Sequence, residues 1–409
     1  MDSELVQRFP NKQPFISEIN PRGILSFASD NSPLEMGRLN VLIGPNGSGK
    51  SNFVEIFELL SSAPTDIART IRDGGGVREW LWKGGTPSLA ACISMKLNLP
   101  DVNHRLRYEL ELGSSADRLE ILDEKLEDEN KTSAKSNDVY FYYRFLRGHP
   151  VINVRGEGKD SSSVERKLNR ESLDPQQSVL SQRKDPEAYP EVTALGREFN
   201  RIFTFREWRF GRYGALRTPQ PSDLPTDRLM PDAQNLALIL NGIEHSDQGS
   251  RLNDLLTRFL PRFRHISTRV QAGGTIQIFL HEQGLGSPVP ATRLSDGTIR
   301  FIALLVILLK PELASAICIE EPELGLHPDA MFILAELILE ASRKMQIVVT
   351  THSDVLLSEL SQRTEDVLIC ENLGGRTLMK RLNADKLEYW LDKYSLGEIW
   401  RSGELGGNP

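Results

Sequence analysis

Three short, mainly apolar runs stand out along the chain, and each ends in a cluster of polar residues. They are LNVLI (39–43) before GPNGSGKS, AICI (316–319) before EEPE, and IVV (347–349) before TTHS. Runs this short and without alternation predict strands buried on both faces of a sheet. Elsewhere the period lengthens. Phe53, Ile56, Phe57 and Leu60 fall at i, i+3, i+4 and i+7, one face of a helix that follows the first run. LALILNGIEH and RLNDLLTRFLPRF, within 236–264, carry helical spacing too, with Pro261 ending or kinking the second. FIALLVILL (301–309) is apolar all round, as a core helix is; it has about half the length that spans a bilayer.

Period two marks other segments. LAACISMKLNL (89–99) and RLRYELELG (105–113) alternate and predict an antiparallel hairpin turning at VNH. ISEINPRGILSF predicts a strand bent at Pro21 and Gly23, and EDVLICENLGGRTLMKRL a closing hairpin with a Gly-Gly turn. The polar stretches 114–138 and 155–188 predict loops or mobile edges. KLEYWLDKYSLGEIW places Leu387, Trp390, Leu391 and Tyr394 on one helical face, a core-packing or docking helix. No internal repeat is present, and no sustained heptads run between 64 and 290, which argues against a long coiled-coil arm.

The polar ends of the runs carry the candidate chemistry. GPNGSGKS fits G-x-x-x-x-G-K-[ST] and sits between a strand and a helix, as a phosphate-binding loop requires. Gly44, Pro45, Asn46, Gly47, Ser48 and Gly49, with Lys50, Ser51 and Asn52 at the helix start, form the predicted cradle. Its glycines allow a tight wrap, so that loop N–H groups and the positive helix end face phosphate oxygens. Lys50 would reach the β- and γ-phosphates, and the Ser51 hydroxyl would ligate Mg²⁺. A Gly-rich turn matching by chance is the bland alternative, and the flanking strand and helix weigh against it.

Glu320, at the tip of the second run, stands where a carboxylate would hold Mg²⁺, and Glu321 where a general base would polarise the attacking water. Taken alone, a strand running into a solvated helix start would look the same. His352, just past the third run, is placed to hydrogen-bond a γ-phosphate; a satisfied surface histidine is its alternative. In LSDGT, Ser295 opens the helix of the apolar run, with Asp296 and Gly297 in the first turn. That describes an N-capped core helix, or a helix N-terminus that grips a γ-phosphate.

Composition narrows the picture. A net charge of −7 leaves no global basic bias, so a nucleic-acid surface would have to be a local patch. Cys92, Cys318 and Cys370 are scattered without a CxxC pair, which fits a reducing cytosol and supplies no metal framework. MDSELVQRFPNKQPF lacks the apolar core of a signal peptide, so a cytoplasmic location and no membrane partner are expected.

In this order GPNGSGKS, LSDGT, IEEPE with LGLHP (324–328), and TTHS resemble an ABC-type ATPase head of the RecF/SMC-like branch. Within that branch they resemble stand-alone AAA-type ATPases related to the OLD family, and the likeness covers 15–63 and 265–360. The resemblance implies an α/β P-loop fold with a mixed core sheet, an antiparallel β lobe and an inserted, mainly helical or irregular lobe. It implies an ATP hydrolase using Mg²⁺, and a head-to-tail homodimer. In that dimer, ATP on Lys50 of one subunit is capped by the segment Ser295, Asp296 and Gly297 of the other. Asp296 stands where the transporter pattern LSGGQ has glycine. A Q-loop glutamine is not placed, since neither Gln271 nor Gln277 has a decisive spacing.

No nuclease carboxylate set follows TTHS. The resemblance is therefore to the ATPase alone, a switch or sensor in DNA repair or anti-phage defence, with a separate effector and DNA as candidate partners. A transporter-energising subunit and an ATP scaffold without turnover are the competing readings. The long stretch between Lys50 and Ser295 argues against the first, and intact Lys50, Ser51, Glu320 and Glu321 argue against the second.

The expected organisation is an N-terminal part of the head (1–63), a β lobe plus inserted lobe (64–264), a C-terminal part of the head (265–364), and a hairpin with tail (365–409). RIFTFREWRFGRYGALR (201–217) mixes arginine with aromatics. That suits a nucleic-acid surface, though an edge strand with solvated arginines and buried aromatics is favoured. Arg258, Arg262, Arg264 and Arg269 form a second basic stretch with the same reading.

Overall fold

The computed structural model describes residues 13–406 apart from 85–87, 101, 133–138, 147–148, 155–163, 170–171, 207–210, 212–213 and 311–313. The three apolar runs are adjacent strands of one six-stranded sheet. Its order is Ile202–Phe205, Ala316–Glu320, Gln346–Thr350, Leu39–Ile43, Val367–Leu373, Arg376–Arg381. The first five run parallel, and the last closes the expected hairpin in antiparallel pairing. Register sets Glu320 beside Thr350, and Thr350 beside Leu42. The polar tips of the three runs therefore open on one sheet edge, where ligands bind in open α/β sheets.

Alternation along these strands divides two cores. Leu39, Val41, Ile43, Ile317, Ile319, Ile347 and Val349 face one core, with the helices Leu236–Glu244, Gln248–Phe259, Asp296–Leu309 and Asp329–Ser342. Leu42, Ala316, Cys318, Val348, Leu368 and Cys370 face the other, with the helix Lys50–Ser62 and the second sheet. Both faces are covered, which is why the runs show no alternation in hydrophobicity. The helix Asp296–Leu309 is buried from Thr298 to Leu309. Among the described residues, no helix is long and apolar enough to cross a membrane.

The second sheet has eight strands, and the expected hairpin lies within it as Ala90–Leu97 and Leu106–Ser115, antiparallel with Leu97 opposite Leu106. The loop reading of 114–138 is corrected here, because Arg118–Thr132 forms a strand of fifteen residues. Polar cross-strand contacts hold it where the apolar pattern is weak. Buried Glu124 accepts hydrogen bonds from Tyr108 Oη (2.7 Å), Ser178 Oγ (2.6 Å) and the Val179 N–H (2.8 Å), and Lys125 pairs with Glu109 and Asp123. Within 155–188, Val164–Lys167 forms the edge strand of this sheet and Val179–Gln182 a helical turn, while most of the other described residues of the stretch are loop, as expected.

A third, smaller sheet holds Phe263–Gln271 and Thr275–Glu282, where Gln271 donates to Gln277 at 2.7 Å. The C-terminal helical face meets the core-packing reading only in part. Ala384–Leu391 buries no residue; Leu387 and Leu391 pack only partly against the core, and Trp390 and Tyr394 remain exposed. Asn383 caps that short helix and Ser395 starts a new one with a capping box, which shifts burial onto Leu396, Ile399 and Trp400.

Candidate functional site

The cradle forms at the joint between Leu39–Ile43 and Lys50–Ser62. Gly49, at the helix N-cap, has φ 101°, and a Cβ there would meet Thr377 Oγ1 at 1.9 Å. Only glycine suits that position. The terminal hairpin clamps the loop from outside. Thr377 Oγ1 donates to the Ser48 carbonyl at 2.9 Å, Asn372 Nδ2 to the Gly47 carbonyl at 3.1 Å, and Asn52 Nδ2 to Ser26 Oγ at 2.7 Å. Lys50 Nζ donates to the carbonyls of Gly44 (2.7 Å) and Pro45 (3.1 Å). Burial lowers the Lys50 pKa, opposed by Cys370, Glu321, Glu320 and Glu323. Ser51 is exposed, and Ser48 is buried with its hydroxyl unpaired.

The other two strand tips face this loop. Glu320 Oε2 accepts from Arg206 Nε at 3.0 Å, while Glu320 Oε1 is buried without a partner. Glu321 has φ +43°, a left-handed backbone that costs a side-chain-bearing residue about 1–2 kcal/mol. Both its peptide groups are fastened: its N–H donates to the Thr350 carbonyl at 3.0 Å, and its carbonyl accepts from Arg300 Nη2 at 2.7 Å. Strain held by surrounding bonds is common where a side chain must be aimed. His352 Nε2 lies 3.6 Å from Glu321 Oε1. Glu323 fastens the histidine turn, accepting from the His352 N–H (2.6 Å) and Thr351 Oγ1 (2.8 Å). Burial raises the Glu323 pKa.

Burial first and the nearby Lys50 charge second hold His352 below the ordinary imidazole value, so it is neutral at pH 7. Its stability contribution has a definite sign. The unfolded chain binds a proton near pH 6.5, before the folded site does, so the contribution is complete above about pH 6.5 and is lost as the pH falls. Wild type is expected to lose more unfolding free energy between pH 7.5 and 5.5 than His352→Gln does. Urea titrations of both at the two pH values check this, and equal losses would contradict it.

Ser295 is the N-cap of the helix Asp296–Leu309, accepting from the Thr298 N–H at 3.0 Å. Asp296 Oδ1 accepts from Arg217 Nε at 3.1 Å. The side-chain hydrogen bonds of Ser295 and Asp296 thus run to Thr298 and Arg217, and among the described residues none joins them to the cradle of the same chain. Gly297 packs against LGLHP so closely that a Cβ would meet the Gly325 carbonyl oxygen at 2.6 Å. Gly297→Ala should cost about 1–3 kcal/mol through overpacking. A thermal melt reads it, and an unchanged melting temperature would count against the contact.

Arg206 and Arg217 are the functional candidates that the sequence did not single out. Each belongs to the arginine–aromatic stretch, and each is spent inside the molecule. Ile202–Phe205 is an edge strand of the head sheet, as favoured for this stretch, but Arg206 and Arg217 are held in ion pairs where that reading expects solvated arginines. Trp208, Arg209, Phe210, Arg212 and Tyr213 lie outside the described residues. Of the second basic stretch, Arg258 pairs with Glu336 at 2.8 Å and Arg269 stacks over Phe279.

Among the described residues, no group of three or more His, Cys, Asp or Glu side chains could hold a metal ion alone. The orphaned, buried Glu320 Oε1 and the exposed Ser51 hydroxyl fit Mg²⁺, which takes few protein oxygens and completes its shell with phosphate and water.

A mainly parallel sheet with a P-loop strand near its centre, a histidine-tipped strand beside it and a carboxylate-tipped strand next in line defines a P-loop ATPase head of the ABC type, similar to those of SMC and RecF proteins. The chain belongs to the family described as "AAA domain, putative AbiEii toxin, Type IV TA system", which matches residues 39–358. Its fold is similar to that of an Smc head bound to the C-winged helix domain of ScpA, with 13% identity over 92% of this chain and 100% of that one, TM-score 0.58. An Smc head with an extended coiled coil, bound to the C-terminal domain of ScpA from Pyrococcus furiosus, is 12% identical over 93% of this chain and 99% of that one, TM-score 0.58. A Pyrococcus yayanosii Smc head with coiled coil and joint is 11% identical over 93% and 99%, TM-score 0.50. No curated protein sequence matches the chain.

Proposed function

We propose that this ATPase binds and hydrolyses ATP between two copies of itself and works as a switch. The carrying observation is the convergence of Lys50, Glu320, Glu321 and His352 on one edge of the sheet, each fixed by backbone or side-chain bonds. Lys50 and the loop N–H groups bind the phosphates, with Gly44 to Asn52 as the cradle. Ser51 and Glu320 would hold Mg²⁺, which supplies charge neutralisation at the phosphates. Glu321 takes the proton of the attacking water, and neutral His352 hydrogen-bonds the γ-phosphate. The cavity beside the cradle, lined by Phe27, Asn31, Phe53, Arg376 and Lys380, suits the nucleoside end.

The described side-chain hydrogen bonds of the signature segment run to Thr298 and Arg217, and we read this segment as half of a shared site. Ser295, Asp296 and Gly297 of one subunit then cap the triphosphate of the other across an isologous interface. Hydrolysis removes contacts common to both subunits, so turnover opens the dimer. The family's description as "putative AbiEii toxin, Type IV TA system", and the ScpA domains bound to the similar Smc heads, support a switch read by a separate effector. A role in DNA repair or anti-phage defence, with DNA as a ligand, is the finer reading. Phosphate release with and without duplex DNA at a stated salt concentration tests both levels. No ATP turnover would overturn the enzyme reading, and a rate indifferent to DNA would remove the DNA part.

A further inference from the structure

Glu320 is a glutamate at a metal-holding position, with one more rotatable bond than an aspartate would have there. A free glutamate arm must lose that freedom to serve one ion. The structure supplies the restraint. Arg206, the first residue after the edge strand Ile202–Phe205, donates through Nε to Glu320 Oε2 at 3.0 Å. Its other nitrogens reach the cradle helix, with Nη1 3.1 Å from Glu58 Oε2 and Nη2 3.8 Å from Glu55 Oε2. Burial works against the guanidinium charge, and Glu320, Glu55 and Glu58 more than offset it. One oxygen of Glu320 is thus tied, and Oε1 is left buried and unpartnered.

We propose that Arg206 is a positioning residue for the metal carboxylate. It ties Glu320 Oε2 to the cradle helix, so that Oε1 alone is presented to Mg²⁺ or to its bound water. The planar fork of arginine suits this task, because it can hold carboxylates on two elements at once. The chain between 206 and 217 also ends on the signature Asp296. Two arginines of the arginine–aromatic stretch therefore bear on the ATPase site.

The inference rests on Glu320 being the metal carboxylate. The test titrates Mn²⁺ by electron paramagnetic resonance against protein in slight excess over ADP, with ADP affinity in EDTA measured alongside. Arg206→Gln should weaken Mn²⁺ binding by about tenfold or more, in the range for residues that orient metal ligands, and leave metal-free ADP affinity unchanged. Arg206→Lys should restore part of the loss, since it keeps the charge but not the fork. Glu58→Gln, on a half-exposed side chain, should give a smaller loss and keeps the test open if Arg206→Gln does not fold. Unchanged Mn²⁺ affinity in these variants, with Glu320→Gln impaired, would overturn the role of Arg206 alone. Tighter Mn²⁺ binding in Arg206→Gln would overturn it too, by showing a competitor in place of a guide. Glu320→Gln with full Mn²⁺ affinity would instead overturn the metal assignment beneath it.

Discussion

Glu321→Gln is expected to lower ATP turnover by about 10²-fold or more, the usual worth of a positioned general base, while ATP stays bound. The amide matches the carboxylate in size and cannot accept the proton. The strained backbone is fastened to Thr350 and Arg300 through main-chain groups, which the substitution does not touch. Lys50, Ser51 and Glu320 keep their places. With hydrolysis blocked and phosphate contacts intact, the variant should accumulate as a dimer on ATP. Size-exclusion chromatography with light scattering would read this directly, and a variant that stays monomeric with ATP or keeps wild-type turnover would be inconsistent with the assignment.

Lys50→Ala carries the second large effect. In this structure the ammonium is satisfied by the Gly44 and Pro45 carbonyls, so it lies inside the loop that would receive phosphate. Burial already disfavours its charge, and anionic phosphate would compensate that cost. Alanine removes the only side-chain cation of the cradle segment 44–52, and binding or turnover should fall by about 10²-fold or more. Fluorescent-nucleotide titration measures it. Near-normal affinity and rate would refute the role of the loop.

The head was readable because its signals are local. Each buried strand is a short, mainly apolar run followed closely by its polar cluster, so Glu320, Glu321 and His352 could be placed at strand tips, and Lys50 at the helix start after the glycine loop, from spacing alone. Ser295 was readable as an N-cap for the same reason. The strand Arg118–Thr132 was not, because its stability comes from partners distant in sequence, such as Ser178 on Glu124, and its own composition is that of a charged loop. Arg206 escaped because its meaning is tertiary. Only the pairing of Ile202–Phe205 with Ala316–Glu320 brings a residue 114 positions away onto Glu320. Trp390 and Tyr394 show the converse, part of a helical period that the fold leaves outside the core.

The shared site is tested most directly by mixing two dead variants. Lys50→Ala lacks a cradle and Ser295→Arg lacks a cap, so neither should hydrolyse ATP alone. In an equal mixture, half of the dimers carry one intact composite site of two, and about a quarter of wild-type activity should return. A mixture no more active than its separate components would contradict a triphosphate held between two copies of this chain.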